Sequence, residues 1–368
     1  MPEPFRDSVT LEEHQRAIDY TRSRLGDDAQ PWDIGLLALW IATPALGWLA
    51  TTLGEHGVLF LLTVFLINGF VMLPRRAWRV FRVEQRFGFN RTTLKTFVLD
   101  QIRSATLFAL IAGPLFAATL ALMTRGGNHW WIWAWALWTG VTLLLTWIGP
   151  NWIAPLFNRF EALPEGPLAE RLRALLERTG FDCRGLYVMD GSRRSAHSNA
   201  YFTGLGSGRR IVLFDTLLEQ LTDDEIEAVL AHEIGHSRLG HVRWRLLRGA
   251  LLALAGFALL AWLQNQDWFQ LGLGLHRPTA QGCLLLALWI APLALFPLRP
   301  IFAWSSRRDE YAADAFAADK TRPAPMIRAL HRIYASNAAG LTSDPVYSAF
   351  YDSHPTPRLR IAHLQAML

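Results

Sequence analysis

The sequence predicts a mainly α fold: a polytopic membrane protein with about six transmembrane helices, plus a water-facing α+β domain placed between the fourth and fifth. Three observations lead there. Of the 368 residues, 51% are hydrophobic and only 18% charged, and 16 are Trp, a balance foreign to an ordinary soluble domain. Six apolar stretches approach the ~20 residues that cross a ~30 Å hydrocarbon core. Residues 154–245 break that pattern with short β-like runs and amphipathic helical periodicity.

In chain order, residues 1–31 are hydrophilic, and 8–25 read as a helix on the membrane surface with Ser8 or Thr10 as N-cap. They show no short apolar core with a cleavage site, so no cleaved signal peptide is expected. The transmembrane region 32–153 opens with apolar stretches at 32–53 and 58–73, separated only by Gly54, Glu55, His56 and Gly57. Pro74, Arg75 and Arg76 are expected to stop the second, and 74–104 forms a basic cytoplasmic connector. The third and fourth stretches are 105–123 and 130–153. Trp130, Trp131, Trp133, Trp135 and Trp138 crowd the start of the fourth, as indoles at headgroup level do.

Residues 154–245 read as an ordinary globular α+β domain. A helix over 167–179 ends at Gly180, and strands are expected at 185–189, 198–203 and 211–214. Thr222 and Glu225 form a capping box that opens another helix. With Gly249 as its first breaker, this helix is expected to run straight towards a fifth span at 246–263. The sixth span, near 283–298 and closing the transmembrane region 246–298, should kink at Pro292 and Pro297. Residues 299–368 form a helical cytoplasmic tail. Cys183 and Cys283, the only cysteines, exclude a disulfide framework or thiolate zinc site and read as small buried apolar residues.

The net charge of +5 has two possible sources, nucleic-acid binding or the positive-inside bias of membrane proteins. With the N-terminus inside, the three outer links contain only Arg125 and Arg277 of the 36 basic residues. The rest fall on the side of both termini, which sets that side as cytoplasmic. A nucleic-acid groove would cluster its basic residues on one module, so no nucleic-acid partner is expected. Near-exclusive use of Arg over Lys, with only Lys95 and Lys320, points to a bacterial source and hence an inner membrane.

The helix opened by Thr222 carries His232, Glu233 and His236 as His-Glu-x-x-His. Four residues turn a helix by about 400°, so the two imidazoles share a face and suit one Zn2+ ion. Glu233 stands beside them as a general base. By chance the pattern arises about once in a hundred chains of this composition. A third ligand is needed, and Glu310 is the best candidate. Asp314, one turn on, can accept a hydrogen bond from the far nitrogen of a ligating His. Ala312 and Ala313 allow close helix approach. The alternative is a solvated helix with local Arg307–Glu310 and Arg308–Asp309 pairs. His241 stands about 140° off the His236 face and reads as structural or ring-orienting.

Five ordered stretches resemble the type I CAAX prenyl proteases, integral-membrane zinc metalloproteases of the gluzincin type. They are EQRFGFNRT at 84–92, HSNAYFTG at 197–204, the zinc motif, Ser306 and Arg307 leading to Glu310 and Asp314, and Ser353-His354-Pro355 followed by Arg358. The resemblance implies His232, His236 and Glu310 as zinc ligands, Glu233 as base, and Asn199 and His354 facing bound substrate. It also implies that the spans enclose a chamber. Asn199, on an expected edge strand, could hold a substrate carbonyl; it could also be a turn-former. His354 could donate to the oxyanion, and Arg358 could anchor its segment or a substrate carboxylate; the same residues could simply start a helix with Thr356 as N-cap. Eukaryotic members resemble this chain with one more N-terminal span and a longer connector. The expectation is a membrane-embedded zinc endopeptidase acting at the cytoplasmic face on a peptide or lipidated protein, in contact with membrane lipid. A quality-control protease of the HtpX type and a non-catalytic membrane scaffold stand as alternatives.

Overall fold

A computed structural model of the chain describes residues 5, 9–25, 29–53, 55–203, 209–271, 275 and 278–368, with main chain only at 25 and 29–33. Ser8, Gly54, Gly204 and Arg277 lie outside the described residues. Helix α1 (Leu11–Leu25) starts at Thr10, whose Oγ1 accepts from Glu13 N at 3.2 Å while its own N donates to Glu13 Oε2 at 2.8 Å. The reciprocal cap fixes where the surface helix begins.

The expected first span is broken. Helices α2 (Ala29–Ala42) and α3 (Ala45–Leu53) meet at a 72° bend. Pro44 sits at the bend; it lacks an N–H and disfavours helical geometry at Thr43. The second span departs the other way. Pro74 does not end it, because α4 (Gly57–Val71) continues through α5 (Leu73–Trp78) and a π-helical turn (Arg79–Glu84) as one helical stretch, Gly57–Glu84. Pro74 occupies the first turn of α5, where a missing N–H costs little. Helix α6 (Leu94–Arg125) and α7 (Trp130–Ile148) follow.

Among the described residues, five helical stretches are long and apolar enough to cross a membrane, and a sixth span exists only if the bent pair is counted as one. Between 6% and 28% of each stretch's most apolar window is buried by protein, so most of this apolar surface is left uncovered by the chain itself. The Trp cluster is only partly an interfacial belt. Trp130 is buried, Trp135 Nε1 donates to Ala250 O at 2.8 Å, and Trp138 Nε1 donates to Thr119 Oγ1 at 2.9 Å. Those indoles satisfy their N–H between helices.

The soluble region builds a four-stranded sheet in the order β1-β2-β4-β3, from β1 (Phe160–Ala162), β2 (Leu186–Met189), β3 (Ala200–Thr203) and β4 (Arg210–Phe214). Strands β2 and β4 are parallel; the other pairs are antiparallel. Strand β1 is absent from the sequence-based expectation, since three residues carry no periodicity and pairing with β2 alone defines it. Helix α8 (Pro167–Thr179) closes at Gly180, in the left-handed conformation with φ of 58°. After α9 (Asp215–Gln220) comes α10 (Asp223–Arg238), the helix of the zinc motif. Ile226, Leu230 and Ile234 pack it into a core shared with Leu172 and Leu175 of α8 and Leu213 of β4.

Helix α10 does not run straight on. Gly240, with φ of 72°, ends it, and α11 (His241–Leu263) starts afresh. Helix α12 (Asp267–Leu271) precedes α13 (Ala280–Ala294). Pro292 lies inside α13, and Pro297 in the 3-10 turn that leads to α14 (Arg299–Thr321). Helices α15 (Pro323–Ser336), α16 (Pro345–Tyr351) and α17 (Pro357–Gln365) complete the chain. Cys283 is buried, whereas Cys183 is only half-buried.

Candidate active site

Helices α10 and α14 cross at Gly235. A Cβ there would stand 3.2 Å from Ala313 Cα and 3.2 Å from Phe316 Cβ, so glycine allows the approach that lets α14 reach the zinc motif. Ala313 is buried at this crossing, while Ala312 is exposed.

The crossing brings together His232, His236 and Glu310, all buried, with ligand atoms within 4.8 Å of one another. His232 Nε2 lies 3.1 Å from His236 Nε2 and 3.6 Å from Glu310 Oε2; His236 Nε2 lies 3.2 Å from Glu310 Oε1. A tetrahedral zinc with bonds of about 2.0–2.1 Å holds its donors about 3.3–3.4 Å apart, so this trio has the right span. Glu310 Oε2 is buried and makes no well-aligned hydrogen bond among the described residues, although His354 Nδ1 approaches to 2.8 Å. A buried carboxylate oxygen ringed by nitrogen atoms yet without an aligned hydrogen bond suits a metal-ligand position. The donors and their spacing fit zinc.

The far side of each ring is already engaged. His232 Nδ1 lies 2.9 Å from Asp314 Oδ1, and His236 Nδ1 lies 2.8 Å from His241 Nδ1. Both Nε2 atoms are thereby aimed at the site. The break at Gly240 makes the second contact possible, since His241 on a continuous helix would point away. Burial and the Arg360 charge push the His232 imidazolium down, but Asp314 and Glu310 outweigh them and raise it to about 9. The same negative field favours a bound metal cation. Burial pushes the Glu233 carboxyl above its ordinary range, against the pull of His232 and His236.

The solvated-helix alternative for α14 does not hold. Arg307 donates to Ser348 O and Asp352 O, each at 2.9 Å, tying α14 to the segment before His354. Arg308 lies over the Trp304 ring instead of pairing with Asp309.

A cavity of about 1090 Å³ contains Asn199, His232, Glu233, His236, Glu310 and His354 in its walls. Asn199 is exposed just before the edge strand β3, and its Oδ1 accepts from Ala200 N at 2.9 Å. Tyr20 OH donates to Glu84 at 2.9 Å, and Glu84 Oε2 lies 3.3 Å from His197 Nε2. Asn337 Oδ1 accepts from Ser198 N at 3.0 Å and its Nδ2 donates to Ser198 O at 3.2 Å. The EQRFGFN stretch thus anchors the approach to Asn199. Thr356 is the N-cap of α17, and His354 reaches the site as well, so the two sequence readings of this segment coexist.

Arg358 is not in the site. It is exposed, while Arg360 is buried, donates to Asp314 at 2.6 and 2.7 Å, and stands 3.2 Å from the His232 ring. Two residues apart on a helix is about 200°, so only one of them can face inward. The sequence held the clue. Pro357, Ile361 and Leu364 are the buried positions of α17 besides Arg360, and their spacing puts residue 360 on the inner face.

Residues 1–159 match the family model described as CAAX prenyl protease N-terminal, five membrane helices, and residues 162–368 match peptidase family M48. The chain is 34% identical to a CAAX prenyl protease 1 homolog of Arabidopsis thaliana over 82% of its own length and 71% of the relative's. It is 32% identical to CAAX prenyl protease 1 of Saccharomyces cerevisiae, over 90% and 77% respectively. The crystal structure of S. mikatae Ste24p superposes with a TM-score of 0.88 at 31% identity, covering 99% of this chain and 91% of that one.

Proposed function

The chain belongs to the CAAX prenyl protease family within peptidase family M48, and from that premise we propose a zinc endopeptidase that cleaves lipidated or membrane-tethered peptides at the cytoplasmic face. It is an integral-membrane metalloprotease; zinc, the substrate and the orientation are our reading. The observation that carries it is the convergence of three buried donors in the same cavity as Glu233, Asn199 and His354.

His232, His236 and Glu310 would hold the ion. When bound, zinc acidifies water and polarises a carbonyl. Glu233 takes the proton from the attacking water and returns it to the leaving amine, a task its raised pKa suits. His354 donates to the oxyanion that develops on the scissile carbonyl. An extended peptide pairs with the edge of β3, and the Asn199 Nδ2 amide donates to one of its carbonyls. Asp314 and Arg360 hold the His232 ring in place. Basic residues concentrated on the side of both termini support the cytoplasmic orientation, and arginine usage supports a bacterial inner membrane.

The test compares wild type with Glu233→Gln in detergent on a quenched peptide carrying a farnesylated cysteine. Wild type should cleave, and Glu233→Gln should lose about 10²–10⁴-fold in rate while retaining stoichiometric zinc. Equal cleavage by both proteins would overturn the mechanism. Equal cleavage with and without the farnesyl group would overturn lipid selectivity.

A further inference from the structure

Beside the catalytic cavity lies another, of about 570 Å³, between the early turns of α11 and α14 and the end of α16. Arg245, Arg248 and Arg299 line it together with the apolar Leu252, Phe302 and Phe350. Arg248, Leu252 and Phe302 also line a neighbouring cavity of about 340 Å³, whose remaining walls are Leu251, Leu298 and Ile301. A cationic recess therefore opens into a groove that is apolar apart from Arg248. Leu251 and Ile301 are more than half exposed, on helical stretches apolar enough to cross the membrane, a surface whose chemistry suits an acyl chain. The recess joins that apolar surface to Arg245, Arg248 and Arg299.

Two of the arginines are held before any ligand arrives. Arg248 donates to Trp244 O at 3.2 Å and to Ser305 Oγ. The Arg299 guanidinium lies over the Phe296 and Tyr351 rings, at 5.7 and 5.4 Å. Asp309, in the same recess, is 4.0 Å from Arg248 and offsets one positive charge, leaving Arg245 and Arg299 in surplus. Guanidinium groups match phosphate oxygens in pairs, and basic pockets between helices on the cytoplasmic side suit anionic head groups.

We propose that this cleft binds one anionic phospholipid, its phosphate between Arg245 and Arg299 and one acyl chain along Leu251, Leu298 and Ile301. Arg245, Tyr351 and Ser353 line both this recess and the catalytic cavity, so the lipid forms part of the wall past which a membrane-borne substrate approaches. Binding needs no hydrolysis, so the proposal stands or falls separately from the catalytic reading.

Native mass spectrometry of the full chain, in detergent micelles doped with phosphatidylglycerol or phosphatidylcholine, tests it. Wild type should retain one phosphatidylglycerol with a preference of about tenfold or more over phosphatidylcholine. The double variant Arg245→Gln/Arg299→Gln should lose that preference at an unchanged melting temperature; should it fail to fold, Arg299→Gln alone is read the same way, with Arg299→Lys, which keeps the charge but not the paired donors or the stacked plane, restoring only a small part of the binding. Equal retention of both lipids by wild type, or an unchanged preference in a folded Gln variant, would overturn the proposal. Displacement of the lipid by millimolar inorganic phosphate would also overturn it, by assigning the recess to a free anion.

Discussion

The two walls of the catalytic cavity are built differently. On the metal-facing wall Asp314 is fully buried and Arg360 nearly so, and His232, Asp314 and Arg360 bond among themselves. On the opposite, open wall His354 keeps 65% of its side chain exposed and Asn199 is exposed too. The first wall is complete without substrate, because a ligand shell must be rigid before the metal binds. The second wall has polar groups left open, which an extended peptide would complete.

The strongest way to break this contrast is to unlock the buried wall. Arg360→Gln removes one member of a buried charge pair and leaves Asp314 without its cation. That should cost about 3–5 kcal/mol of stability and weaken zinc binding by about 10–100-fold through the loosened His232 ring. Thermal unfolding and zinc titration measure the two. Wild-type values for both would mean that the His232–Asp314–Arg360 network does not hold the ligand.

The open wall should respond in kind but not in place. His354→Ala should lower kcat by about 10²–10³-fold, the usual cost of a lost oxyanion donor. Stability should stay within about 0.5 kcal/mol, as for an exposed side chain, with full zinc content. If zinc is lost along with activity, the 2.8 Å contact with Glu310 places His354 on the ligating wall instead. Asn199→Ala should be milder, losing about tenfold in kcat/KM, mostly through KM, as for one hydrogen bond to substrate. A change confined to melting temperature would instead mark Asn199 as a turn-former.

Local patterns were legible in the sequence, and contacts between distant segments were not. The capping box at Thr222, the helix Pro167–Thr179, and the one-turn spacings within the pairs His232–His236 and Glu310–Asp314 depend on neighbours within a turn or two, and periodicity reports them; the meeting of the two pairs is a long-range contact at the α10–α14 crossing. Proline shows the limit. Pro44 accompanies a 72° break, whereas Pro114 lies inside the uninterrupted α6. The residue is the same and the outcome differs, so the proline by itself does not decide whether a helix breaks. Gly240 shows the same limit: the sequence offers single glycines at 240 and 249 alike, and only the positive φ of Gly240 shows that the helix ends there and not at Gly249. The sheet edge β1 likewise exists only through its pairing with β2, whereas the contact of His241 with His236 follows from the local break at Gly240.

Arg358 gives the smallest expected effect and, beside Arg360, the sharpest contrast, since the two are the same residue type two positions apart. The HPTPRLR run alone does not say which arginine turns inward; the apolar positions at 357, 361 and 364 do. Arg358→Ala should change stability, zinc-binding free energy and the barrier behind kcat/KM by less than about 0.5 kcal/mol each, because an exposed side chain outside the His232–Asp314–Arg360 network has little to lose. A tenfold rise in KM for substrates with a free C-terminal carboxylate, at unchanged stability, would show instead that Arg358 meets that carboxylate when the peptide is bound. In that event the open wall would extend along the exposed face of α17, beyond the cavity that holds the metal ligands.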